Sequence, residues 1–72
     1  MSQDRTVQNF NTRRKRKAAV TTAVLWLSSV REAERQALDN TPENFQSTDS
    51  YESGELAVDA LDEVINMLED VY

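Results

Sequence analysis

Cysteine and histidine are both absent from the 72 residues, and glycine and proline occur once each. Without Cys the chain cannot be a disulfide-stapled scaffold, and without either residue the usual structural zinc sets and the His- or Cys-centred catalytic sets are missing. A single Gly and a single Pro leave few places for tight turns, which disfavours a β-sandwich or a flexible linker. No apolar run approaches the roughly 20 residues that a membrane-spanning helix needs. A chain of this length makes one small domain and buries only about 60% of the surface its unfolded form exposes. What is present is charge and helix-forming sequence, with 29% charged residues, 39% hydrophobic residues and a net charge of −5.

The charge is divided along the chain. Residues 1–35 hold all eight Lys and Arg and only three acids, Asp4, Glu32 and Glu34, whereas the ten acids beyond Arg35 meet no cation downstream. Such polarity points to halves that neutralise each other or to an external partner for one of them. A basic cluster, Arg13, Arg14, Lys15, Arg16 and Lys17, precedes an uncharged run over residues 18–30. That order is also found in signal peptides. Thr21, Thr22, Ser28 and Ser29 interrupt the run and no small-x-small cleavage site follows, so the expectation is a cytoplasmic protein with no membrane partner.

Residues 11–38 contain no helix breaker, and Val20, Ala23, Leu27, Val30 and Ala37 recur at spacings of three and four, with Val24 and Leu38 widening the stripe and Trp26 flanking it. These predict a first helix over 11–38. Cations are disfavoured at a helix N-terminus, which allows an earlier start near Ser2 or Asp4, with Val7 and Phe10 on the same face; residues 1–10 are read as an N-terminal arm. The connection spans 39–48. In it, Asn40 can end the first helix in a left-handed conformation, and Thr41-Pro42-Glu43 has the order of a cap followed by Pro at a first helical position. One helical turn follows, with Phe45 as a plug for the end of the hairpin. A second helix over 49–72 starts at Thr48 or Asp49, where Asp49-x-x-Glu52 has capping-box spacing. Its seam is a seven-residue repeat, Tyr51, Gly54, Val58, Leu61, Ile65, Leu68 and Tyr72, widened by Ala57, Val64 and Val71. Gly54 on that seam implies close helix approach or room for a ring, from Trp26 or Phe45.

The fold expected is therefore an all-α antiparallel helical hairpin with a short helical turn in the connection, the domain covering 11–72. Trp26, Leu27, Val30, Val58, Leu61, Ile65 and Leu68 are its candidate core and oligomer residues. Two helices with faces this wide do not cover each other, so a homo-oligomer, a four-helix-bundle dimer or larger, is expected.

Two charged features are candidate sites. Glu52, Glu55, Asp59, Asp62 and Glu69 form an acidic stripe on the second helix, opposite its seam, continued by Asn66 and Asp70 with Glu63 beside it. Arg13, Arg14, Lys15, Arg16 and Lys17 are the alternative, a phosphate-binding cluster. Antiparallel packing brings that cluster towards Glu69 and Asp70, where intrachain neutralisation is the plain explanation of both. No residue is assigned a catalytic, cofactor or metal role, because the carboxylates that would have to supply one lie on the wet face of a chain with little interior.

The sequence Asp39-Asn40-Thr41-Pro42-Glu43-Asn44-Phe45-Gln46-x-Thr48-x-x-Tyr51-Glu52, followed by Leu61-Asp62-Glu63-Val64-Ile65, resembles a group of small helical proteins of phages and mobile elements. The match covers about residues 34–68, with Thr41 where the group has Met or Leu and Thr48 where it has Ser. The resemblance implies a helical hairpin and a phage context, and it transfers no site residues. The function expected is a non-enzymatic interaction protein, an inhibitor of a host defence factor that binds a basic protein surface through its acidic helix or sequesters a signalling ligand; the alternative is a small nucleic-acid-binding protein.

Overall fold

The computed structural model describes residues 10–72. They form α1 (Arg13–Asp39), a 3₁₀ turn (Glu43–Phe45) and α2 (Asp49–Glu69), with the two long helices packed against each other. The expected hairpin and its helical turn are there. No helix among the described residues is long and apolar enough to cross a membrane. Val7 and the rest of the expected arm up to residue 9 lie outside the described residues.

Local chemistry moves most of the expected boundaries. Thr12 is extended and its hydroxyl accepts from the Lys15 N–H at 3.1 Å. This N-cap satisfies one of the free donors of the first turn and starts α1 at Arg13, rather than at 11 or near Ser2. At the other end Asn40 is right-handed, φ −89°, so the expected left-handed stop is corrected. No such residue is needed, because the Thr41 hydroxyl donates to the Ala37 carbonyl at 2.8 Å and the Thr41 N–H to Leu38 at 3.1 Å. Thr41 therefore closes α1 instead of capping the next turn, and Pro42 is the N-cap residue of the 3₁₀ turn rather than its first helical position.

Thr48 caps α2, accepting from the Tyr51 N–H at 3.2 Å. The Asp49–Glu52 capping box is thus displaced by one residue and is not formed. The helix ends at Glu69, three residues before the expected 72, with Asp70 as C-cap and no base in the last turn. Two acids at the negative end of a helix dipole disfavour its extension.

The seam of α2 is the expected repeat from Tyr51 to Leu68: Gly54, Val58 and Ile65 are buried, and Tyr51, Leu61 and Leu68 half-buried. On α1 the inward stripe is Val20, Val24, Leu27, Arg31, Glu34 and Leu38, all half-buried. Val20, Leu27, Val24 and Leu38 of the expected stripe face inward, whereas Ala23, Val30 and Ala37 are exposed, and Arg31 and Glu34 take the inward places that Val30 and its neighbours were expected to fill. Trp26 is 74% and Val30 55% exposed, and neither belongs to the core of the hairpin. Two charged residues on the true seam hid it. Arg31 is tolerated there because Asp62 pairs with it, and Glu34 because Gly54 opposite has no side chain. A Cβ on Gly54 would come within 2.5 Å of Glu34 Oε2 and 2.8 Å of Leu38 Cδ2. The close approach is real, but the space takes Glu34 and Leu38 rather than Trp26 or Phe45. Phe45 is half-exposed at the edge of a groove with Leu38 and Tyr51, and does not plug the end.

Candidate interaction surfaces

Antiparallel packing sorts the side chains beside the seam into two faces. Residues one place after a seam position on either helix share one side: Arg35 and Asp39 line a groove with Glu52, Glu55 and Asp59, and Thr21 and Leu25 line another with Glu69. Residues one place ahead share the other side, as Ala37 and Ser50 do in the groove beside Phe45. The acidic stripe is therefore confined to one face of the hairpin.

That stripe is broken in the middle. Arg31 Nη1 donates to Asp62 Oδ1 at 2.8 Å, and Arg35 Nη2 lies 3.5 Å from Asp62 Oδ2. These two cations were not expected at the site; their signal in the sequence is register, since aligning Leu38 with Gly54 sets Arg31 level with Asp62. Among the described residues Glu52, Glu55, Asp59 and Glu69 form no ion pair. Glu52, Glu55 and Asp59 flank Leu56, which is 69% exposed, and Tyr51, so the closed end of the face is acidic with apolar contact area beside it.

Among the described residues Arg31 is held by Asp62 alone, and its Nε is buried and bonded to nothing there. Its side chain is 27% exposed and that of Asp62 41%, a position between surface pairs and buried ones. Asp62→Asn is expected to cost about 1–2 kcal/mol, between the surface and buried limits. Arg31→Met is expected to be near neutral, because removing the charge also removes its desolvation. Urea midpoints of the two variants at equal concentration check this ordering, and a larger loss in Arg31→Met would contradict it.

The basic cluster occupies the first turns of α1 at the other end. Arg13 lies over the Tyr72 ring, 5.3 Å from its centroid. Arg16 Nη1 donates to the Phe10 carbonyl at 2.8 Å. Among the described residues none of Arg13, Arg14, Lys15, Arg16 and Lys17 makes an ion pair, so the expected neutralisation by Glu69 and Asp70 does not take the form of direct contacts. Lys17 and Glu69 share a groove with Leu25 and Tyr72 without pairing. No three carboxylates among the described residues converge as metal ligands. No protein-family model, curated protein or solved structure matches the chain, and the geometry of these surfaces is what speaks for its function.

Proposed function

We propose that the chain is a non-enzymatic interaction protein that docks a basic protein surface on the closed end of its acidic face, through Glu52, Glu55 and Asp59. The observation that carries this reading is that these three carboxylates line one groove and make no ion pair among the described residues. They sit within two turns of one helix beside exposed Leu56, so a partner gains charge complementarity and apolar contact together. Imitation of a continuous row of phosphates fits less well, because Arg31 and Arg35 neutralise the middle of the stripe. The grooves are open along the surface, which favours a macromolecule over sequestration of a small ligand. With the resemblance to phage proteins, a host defence factor in the cytoplasm is the partner class in view.

The test is capture by the tagged protein with and without Glu52, Glu55 and Asp59 reversed to Lys. Asp62 is left intact because it holds Arg31. The expected outcome is a basic partner that is lost on reversal and released by salt, as screening over about 8 Å requires, while the helical circular dichroism is unchanged. A partner retained by the reversed protein would refute the assignment.

A second reading rests on the cations of residues 13–17, which make no ion pair among the described residues. Five on the first turns of a helix whose dipole repels them are poised for phosphates. Replacing Arg13, Arg14, Lys15, Arg16 and Lys17 with Gln is expected to abolish any salt-sensitive mobility shift of oligonucleotides without lowering helix content. If the unaltered protein shifts neither duplex nor single strands at low salt, this reading fails.

A further inference from the structure

On both helices the positions one place ahead of the seam are also free of charge and mostly apolar. On α1 they are Ala19, Ala23, Trp26, Val30, Ala33 and Ala37. On α2 they are Ser50 and Ser53 beside the bend and then Ala57, Ala60, Val64 and Met67. Antiparallel packing puts both stripes on the side of the hairpin away from the acids, and neither contains a charge. Trp26 is 74%, Met67 66%, Val30 55% and Val64 43% exposed there. The seam residues Val58, Leu61, Ile65 and Leu68, expected to drive self-association, are by contrast taken up by α1 of the same chain.

We propose that this face binds the same face of a second copy, the two hairpins lying head to tail about a twofold axis in a four-helix bundle. Three observations select a second copy. The patch carries the seven-residue spacing of a helix-packing face on both of its helices, and two such faces are self-complementary in a bundle. It runs about 27 Å along α1, from residue 19 to residue 37, and about 15 Å along α2, from residue 57 to residue 67, and is about 20 Å wide where both helices contribute, which makes an interface at the small, concentration-dependent end of the range, below roughly 600 Å² per partner. Charge then sets the direction. The cations of residues 13–17 lie at the open end of the hairpin, and Asp39, Glu43 and Asp49 at the closed end. Head-to-tail stacking brings each cluster to the acids of the other copy, whereas same-direction stacking gathers both basic clusters at one end. The acidic face stays outside, so the inference stands apart from the proposed function.

Trp26 is the only tryptophan, so the unaltered protein reports on its own interface. Sedimentation from submicromolar to hundred-micromolar concentration is expected to show the mass doubling, with Trp26 emission moving to the blue over the same range. Trp26→Glu should raise the dimer dissociation constant by more than about tenfold, the effect of losing a central aromatic anchor. Head-to-tail stacking lays α1 on α1 near its middle, so Val30→Cys should form a disulfide-linked dimer under mild oxidation and Ser29→Cys, on the outer side, should not. A monomer throughout would overturn the proposal, as would a doubled mass with Trp26 still in water. A monomer with buried Trp26 would mean that the chain covers the face itself, and equal cross-linking at positions 29 and 30 would place the contact elsewhere.

Discussion

Ile65→Ala is expected to cost about 2–4 kcal/mol, the range for emptying a buried aliphatic site, and to lower the melting temperature by more than about 10 °C, since a domain this small shifts by about 4–8 °C per kcal/mol. Ile65 is 3% exposed and Val58 8%, and they are the only buried hydrophobic side chains among the described residues. Apart from Gly54, which has no side chain, every other seam residue is partly wet, so this position has little neighbouring core to collapse into the gap. A small domain has a total stability towards the low end of about 5–15 kcal/mol, and the variant should therefore be partly unfolded at 37 °C. Thermal circular dichroism at one fixed protein concentration measures it. Leu56→Ala, at a site 69% exposed, is the comparison, and equal losses at the two positions would show that the seam is not the core.

Gly54→Leu is expected to destabilise by about 1–3 kcal/mol through overpacking. The first added carbon already collides with Glu34 and Leu38, and the remaining three would have to displace the half-buried Glu34 from the seam or part the helices. Gly54→Ala separates two opposing effects. Alanine gains up to about 1 kcal/mol over glycine within a helix, while its methyl pushes against the flexible ends of Glu34 and Leu38. Near neutrality is the expected balance, and Glu34→Ala combined with Gly54→Ala should be more stable than either single variant suggests by addition. Additive effects would mean that the two side chains do not share that space.

How far the fold could be read in advance follows from where charge falls on each helix. The seam of α2 was legible because Tyr51, Gly54, Val58, Leu61, Ile65 and Leu68 run without a charge. The first helix offers two adjacent apolar stripes, and the inward one is the one that carries Arg31 and Glu34. A reading that keeps charges out of cores finds Val20, Val24, Leu27 and Leu38 but completes the face with Ala23, Val30 and Ala37, and with them puts Trp26 and Val30 inside. Only the pairing of the helices, Arg31 with Asp62 and Glu34 with Gly54, makes the charged stripe the better one, and pairing is not a property of either helix alone. The caps were local and could be found: Thr12 and Thr48 each stand ahead of a helix with the right side chain. The acidic stripe was visible as spacing, but its division by Arg31 and Arg35 depends on register across the hairpin.

The connection between the helices has a consequence for the order of folding. Thr41 donates to Ala37, Gln46 Nε2 to the Thr41 carbonyl at 3.2 Å and the Thr48 hydroxyl to Phe45 at 2.9 Å, so the bend is tied by bonds reaching at most five residues along the chain. Such contacts cost little loop-closure entropy. Leu38 and Gly54 then meet next to the bend, Arg31 and Asp62 follow, and the ends marked by Arg13 and Tyr72 are the most distant in sequence. The hairpin is accordingly expected to close from the bend outwards, on the microsecond-to-millisecond scale of low-contact-order helical proteins, and to fray from the opposite end. Amide exchange should be slowest around Val58 and quicken towards Leu68 and Val20. The cations of residues 13–17 thus stand on the turns expected to open first, and the acids beside the bend on those expected to open last.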